Sequence, residues 1–169
     1  MSNPANETVS YPFSAFAFSV EIAVPGVSAK VCSAAFAECD GLEMSMDVKT
    51  IREGGNNGRQ IRLTGPTTFG QLTLKRGMTA TFDLWSWFAA VLRDPALRAD
   101  GQVVLLAPDR PGGEAGERTP RALFRLRRCV PVKLKAPALN AKDGVVAIEE
   151  LGLLYESLTL QPPPGGAGA

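Results

Sequence analysis

From Leu42 to Ile51 the chain alternates, with Leu42, Met44, Met46 and Val48 on one side of an extended backbone and Glu43, Ser45, Asp47 and Lys49 on the other. A period of two predicts a half-buried strand. The alternation resumes at Gln71, where Gln71, Thr73 and Lys75 oppose Leu72, Leu74 and Arg76. With the glycine and asparagine loop from Arg52 to Arg59 between them, the two runs read as a long hairpin whose oily faces are expected to meet a helix.

The same pattern extends along the chain. Phe16, Phe18, Val20, Ile22 and Val24 alternate with small or polar residues and predict a first strand that ends at Pro25-Gly26. Val31 to Glu38 is expected to continue as a strand toward Gly41. Gln102 to Ala107 and Arg121 to Cys129 are two further strands, separated by a Pro, Gly and charged connection at 108–120 that reads as an exposed hairpin tip. In the second of these, Arg121, Arg125 and Arg127 share a side opposite Ala122, Phe124 and Leu126, which a solvated outer face explains. Val145 to Leu160 would extend roughly 50 Å unbroken, too long for one ordinary strand. Its apolar phase slips from Leu151, Leu153 and Tyr155 to Leu158 and Leu160, so a bulge is expected near Glu156-Ser157.

One helix stands out. Leu84, Trp87, Phe88, Val91 and Leu92 fall on one face at helical spacing, Trp85 lies at its edge, and Asp94-Pro95 ends it. The expected core is Phe18, Val20, Leu84, Trp87, Phe88, Val91, Leu151 and Tyr155. The architecture that follows is mainly β with one packed α-helix, an antiparallel β-sandwich or open barrel. One domain over 1–160 is expected, with 1–12 as an N-terminal arm and the Pro/Gly-rich 161–169 as a flexible tail.

Composition narrows the functional classes. A chain of 169 residues fits one domain that buries roughly 70% of its unfolded surface. Eighteen basic against 17 acidic residues give a net charge of +1, too little for a general field that would gather nucleic acid or an anionic membrane. The first ten residues lack the basic and apolar regions of a secretory signal, so synthesis and retention in the cytoplasm are expected. Cys32, Cys39 and Cys129 are odd in number and without CxxC spacing, which argues for free thiols over disulfides or a zinc site.

The chain has no histidine, which removes the usual general base and the commonest metal ligand. Glu149 and Glu150 are adjacent, so on a strand they point to opposite faces and cannot flank one substrate. The loop from Arg52 to Arg59 lacks the Lys-Ser/Thr ending and the following helix of a phosphate-binding loop. No catalytic residue, cofactor or metal is expected.

An ordered set of blocks carries a resemblance. They are Phe18-Ser-Val-Glu-Ile22, Phe36-Ala-Glu-Cys-Asp-Gly-Leu-Glu43, Arg52-Glu-Gly-Gly55, Leu74-Lys-Arg-Gly77, Leu84-Trp-Ser-Trp-Phe88 and Ile148-Glu-Glu-Leu151 with Tyr155-Glu156. Taken in order, they resemble the tail-tube proteins of contractile phage tails and of phage-like contractile injection systems. The chain departs from that pattern at Leu63-Thr64-Gly65, where Leu-Pro-Gly is usual, and at Cys39, where serine is common.

The resemblance implies a structural subunit whose strands join a shared barrel in a hexameric ring, with rings stacked into a hollow tube that sheath contraction drives through an envelope. It implies further copies of the chain, a sheath protein, baseplate or spike proteins and tube-terminating proteins as partners, and DNA or effector cargo in the lumen. A tube-initiating ring at the baseplate is the alternative within the family, and a monomeric barrel binding a small ligand the alternative outside it. On this reading Arg52, Glu53, Gly54, Gly55, Gly58, Arg59, Leu63, Gly65, Lys75, Arg76 and Gly77 are expected at subunit or ring interfaces. Glu43, Ser45, Asp47, Lys49, Gln71 and Thr73 are candidates for the lumen wall.

Overall fold

The computed structural model describes residues 17–25, 30–34, 36–52, 60–107, 118–139, 142, 144 and 146–162. Ten strands and one helix follow in the order β1 (Phe18–Ala23), β2 (Lys30–Ala34), β3 (Glu38–Asp40), β4 (Met44–Arg52), β5 (Gln60–Phe69), β6 (Leu72–Gly77), α1 (Asp83–Arg93), β7 (Ala99–Leu106), β8 (Pro120–Lys135), β9 (Ile148–Leu154) and β10 (Ser157–Gln161). All pairings among them are antiparallel.

The 16-residue β8 organises the body. Its first half pairs with β7 and β10, its second half with β9, and the whole runs β2-β1-β7-β8-β9-β6-β3. Between the halves the strand bends at Arg128, whose φ of 55° is a left-handed value rare outside glycine. On the β7 side Arg127 and Arg128 bulge opposite Asp100, and one carboxylate satisfies both: Arg128 N donates to Oδ1 at 3.1 Å and Arg127 Nη1 to Oδ2 at 2.9 Å. Across β8 the chain breaks in step at Tyr155 and Glu156, where the phase slip was expected, and Glu156 N donates to Arg127 O at 3.0 Å. The break is a shared corner: Leu154↔Val130 and Ser157↔Arg127 keep one register across it with no extra residue inserted, and β9 shifts register against β8 only farther on, between Pro131 and Lys133.

The bend folds the two halves over one core. Val20, Ile22, Val103, Leu126 and Leu158 come from one half, Leu72, Leu74, Leu151 and Leu153 from the other, and Leu84 and Trp87 from the helix. Phe18 and Val91 are partly buried against this core, and Phe88 is half-buried. Leu92 is mostly exposed, so the helix buries a narrower stripe than its periodicity suggests. The expected continuation from Val31 to Glu38 is instead two strands in different halves: β2 pairs with β1, and β3 with β6. Gln161, placed in the tail by composition, closes β10 against Leu123.

A buried ion cluster ties the helix to the sheet. Arg76 Nε donates to Glu149 Oε1 at 2.8 Å, Nη1 donates to Asp83 Oδ2 at 3.2 Å and to Cys32 Sγ at 3.2 Å, and Nη2 donates to Asp83 Oδ1. Trp85 Nε1 donates to the other oxygen of Glu149, and the guanidinium lies 5.5 Å from the Phe36 ring centre. Arg76 and Glu149 are almost fully buried, so each offsets the desolvation of the other. Burial alone would raise the Asp83 pKa, but the hydrogen bonds and charge of Arg76 and the Leu84 amide hold it below the ordinary aspartate value.

Two outcomes follow from this cluster. Arg76→Met strands Glu149 as a lone buried charge and is expected to lower unfolding stability by about 3–5 kcal/mol in urea melts, while Arg76→Met with Glu149→Leu recovers most of that. Since the folded pKa of Asp83 lies below its unfolded value, its stabilisation is complete above the unfolded pKa and disappears as pH falls through the folded one. Asp83→Asn is therefore expected to flatten the loss of stability between about pH 5 and about pH 2, measured as the urea midpoint against pH.

Candidate assembly interface

Residues 38–52 and 60–77 form one long bent hairpin. Its base is β3 against β6, from Glu38↔Lys75 to Asp40↔Thr73, and its outer part is β4 against β5, beginning at Met44↔Phe69. The two parts keep the same register across the bend. The sequence places the hairpin correctly, but Met44 to Arg52 pairs with Gln60 to Phe69, and the run from Leu72 belongs to the base.

The bend has a local cause. Gly41 holds φ at 95°, and a Cβ there would lie 2.1 Å from the Gln71 carbonyl oxygen. Only glycine fits both conditions. Opposite, Gly70 N donates to Glu43 O at 3.0 Å and closes the hinge on the other arm. Tyr155 reaches the same point from the core: its hydroxyl accepts from Glu43 N at 3.0 Å and lies 2.9 Å from Gly41 O and 3.0 Å from Glu43 O, one of which takes its single proton.

Beyond the bend, β4 and β5 pair only with each other among the described strands. The half-buried strand expected from alternation is not found: every residue of β4 is exposed, with Met44 at 58%, Met46 at 52% and Val48 at 59%, and Leu63 of β5 is exposed at 46%. The oily face meets no helix, because the hinge swings the hairpin off the body. Met44, Met46 and Val48 alternate onto one face of the ribbon and Leu63, paired with Lys49, lies on the other, and among the described residues nothing covers either. Its register shifts between Met46 and Val48, where Gly65 and Pro66 oppose Asp47. Pro66 lacks an N–H, so it sits at the bulge, where no ladder bond depends on it.

The expected interface residues divide. Arg52 ends β4 exposed, Leu63 is exposed, and Gly65 lies at the bulge, where a Cβ would come within 3.0 Å of Asp47 O. Glu53, Gly54, Gly55, Gly58 and Arg59 lie outside the described residues. Lys75 faces outward and donates to Glu38 at 2.6 Å, and Gly77 is the exposed last residue of β6. Arg76 corrects the interface expectation: its side chain is buried in the body, on the side of Leu72 and Leu74, where it meets Glu149 and Asp83.

The lumen candidates occupy two settings. Glu43, Ser45, Asp47 and Lys49 are exposed on the hairpin, where Ser45 Oγ lies 2.8 Å from Thr68 Oγ1. Gln71 and Thr73 belong to the base, with Thr73 between Asp40 and Gly152. Outward charges pair across the strands of the body: Lys133 with Glu150 at 2.7 Å, Lys30 with Glu21 at 2.7 Å and Arg127 with Asp100 at 2.9 Å. An open groove of about 330 Å³ runs among Glu21, Lys30, Gln102 and Arg125, whose charged and polar side chains share its lining with Ala23 and Leu126.

Burial pushes the Cys32 and Cys129 thiols up to about 12 and Cys39 up to about 11, which keeps them protonated and unreactive at neutral pH. Among the described residues no group of His, Cys, Asp and Glu has the arrangement of a metal site. What the geometry offers is surface: a projecting ribbon with exposed apolar residues and strand edges at β2, β3 and β10 that no other described strand pairs.

The sequence profile of the T4-like virus tail tube protein gp19 family matches residues 14–159. The chain belongs to that family. Tail-tube proteins are structural, in keeping with a site made of strand edges and an apolar ribbon. Among solved structures, a chain of the sixfold-symmetrised cryo-EM structure of the anti-feeding prophage baseplate is 27% identical, with a TM-score of 0.75 over 90% of this chain and 97% of that one. Two chains of the extracellular contractile injection system PVC share the fold. The first, from its extended sheath-tube complex, is 19% identical with a TM-score of 0.73, covering 96% of this chain and 99% of that one. The second, from its extended sheath/tube terminator, is 20% identical with a TM-score of 0.71, covering 90% and 99%. No curated protein matches the chain.

Function-bearing positions that periodicity missed are Gly41 and the hydroxyl of Tyr155. A tyrosine at a core position was the available signal, since its buried hydroxyl needs a partner that phenylalanine would not. Gly41→Ala of this tail-tube subunit is expected to cost at least about 1–3 kcal/mol in thermal melts, because a Cβ meets both the left-handed φ and the Gln71 carbonyl.

Proposed function

We propose that this subunit closes with further copies of itself into hexameric rings that stack as the inner tube of a contractile injection system or phage tail. The carrying observation is the β4–β5 hairpin, which leaves the body with Met44, Met46, Val48 and Leu63 exposed and, among the described strands, none beside it. Soluble proteins rarely leave such a ribbon bare. A neighbouring copy that covers it gains apolar burial, at about 25 cal/mol per Å² removed from water. The edges of β2, β3 and β10 offer hydrogen-bonding rows to adjacent copies.

On this reading Arg52, Glu53 and Arg59 fix the register between copies by charge, and the glycines at 54, 55 and 58 allow close backbone approach. The polar positions Glu43, Ser45, Asp47, Lys49, Gln71 and Thr73 are assigned to the lumen wall, past which DNA or effector cargo travels. Sheath, baseplate and terminator proteins are the expected partners, supported by the complexes from which the similar chains come. The work is mechanical, and the tube needs no enzymatic activity of its own. The chain is assigned to the assembled particle, after synthesis in the cytoplasm.

A second reading, a ring that starts the tube at the baseplate, is favoured by the 27% identity to a chain of a baseplate structure. Copy number in isolated particles separates the two: one or two rings for an initiator, many for the tube body.

Purified protein is expected to form rings or short tubes in negative-stain images and in sedimentation velocity; a monomer across a broad concentration range counts against the proposal. Met46→Asp with Val48→Asp is expected to abolish those assemblies while shifting unfolding stability by less than about 0.5 kcal/mol, as exposed substitutions do. Gly54→Val and Gly55→Val are expected to act in the same sense, disturbing stacking more than folding.

A further inference from the structure

We propose that the Tyr155 hydroxyl sets the angle at which the β4–β5 hairpin leaves the body, and that this angle decides whether the hairpin reaches its seat on another copy. The inference rests on the reading of the hairpin as the assembly contact. It makes Tyr155 a positioning residue, acting through backbone it holds rather than through any surface it presents.

The hinge lacks regular pairing at the point where the hydroxyl binds. Between Asp40↔Thr73 and Met44↔Phe69 the strand ladder is interrupted, and Glu43 N, Gly41 O and Glu43 O gather around Tyr155 Oη within 3.0 Å. One side chain thus holds two of the three residues through which the arm turns. The Phe69 ring, at the foot of the other arm, lies 5.6 Å from the Tyr155 ring. Tyr155 therefore touches both arms at the hinge and nothing farther out.

Its own position is rigid. Tyr155 is buried at the corner where β9 passes into β10, and Glu156 next to it donates N–H to Arg127 O and accepts from Arg128 Nε at 2.7 Å. Arg128 is fixed in turn by Asp100. A chain of contacts runs from the bulge of β8 to the hinge. Burial also raises the Tyr155 pKa, so the hydroxyl keeps its proton and can donate throughout the neutral range.

Leverage makes the angle consequential. Nine residues of β4 extend about 30 Å. A turn of about 10° at the hinge then moves the far end by about 5 Å, roughly the spacing of adjacent strands and enough to miss a matching surface. The hairpin's own ladder and bulge do not limit this motion, since both lie beyond the hinge.

Tyr155→Phe tests the inference by removing the oxygen while keeping the ring against Phe69. Spin labels at Thr50→Cys on the hairpin and Leu92→Cys on the helix, both exposed, report the arm's attitude in dilute full-length protein by pulsed dipolar spectroscopy. The expected result is a narrow distance distribution with tyrosine and a broad or displaced one with phenylalanine, with the concentration needed for assembly raised at least tenfold. An unchanged distribution, or assembly at the original concentration despite a broadened one, overturns the proposal.

Phe69→Leu is the second variant, removing the ring contact and sparing the hydroxyl. It is expected to keep the narrow distribution; broadening equal to that of Tyr155→Phe would assign the hold to ring packing and overturn the proposal. Met46→Asp with Val48→Asp separates the two layers of argument. If it assembles normally, the hairpin is not the assembly contact, and the clause on seating falls even when the Tyr155→Phe distances behave as expected. If it fails to assemble while Tyr155→Phe leaves distances and assembly unchanged, the hairpin reading stands and the clamp falls.

Discussion

One bent antiparallel hairpin, running from Glu38↔Lys75 to Arg52↔Gln60, carries both halves of this subunit's behaviour. A strand pair must cover its faces and satisfy its edges. At the base β6 meets both demands, since it lies between β3 and β9 and turns Leu72 and Leu74 into the core, while β3 keeps an open outer edge among the described strands. Past Gly41 neither demand is met by the described residues of the subunit. The same hydrogen-bonding pattern is thus a structural element at one end and an open valence at the other, and the hinge between them converts a folded domain into a building block.

The body is stiffened where the arm is attached. The corner of β8 is held by Asp100, the break between β9 and β10 by Glu156, and the helix by Arg76, which reaches Glu149 on the strand and Asp83 at the helix start. These polar contacts lie near changes of direction, where regular ladder bonds run out and unpaired backbone or charge would otherwise be costly. A tube transmitting force along its length needs subunits that do not yield at such corners.

Family membership and surface geometry converge on assembly from independent directions. The profile match follows from residue order along the chain, whereas the uncovered ribbon follows from coordinates alone. The groove beside Glu21 and Arg125 is open to solvent, unlike the enclosed chamber that a monomeric ligand-binding barrel would need.

Local alternation was enough to read most strands, the single helix, the hairpin around the glycine loop and the break after Tyr155, because a two-residue or 3.6-residue period is written directly into side-chain order. The absence of histidine and the ordered blocks shared with tail-tube proteins were equally plain in the sequence. Periodicity could not tell whether an oily face is covered, since Met44, Met46 and Val48 alternate as a half-buried strand would and yet stand in the open. It put Arg76 on the side of Leu72 and Leu74 but could not show what lets a charge stand there, because Glu149 and Asp83 become its neighbours only after β6, β9 and α1 have packed. Strand partners, the left-handed turn at Gly41 and the reach of Tyr155 across more than a hundred residues are likewise properties of the folded chain, because each is decided by backbone groups that sequence order keeps far apart.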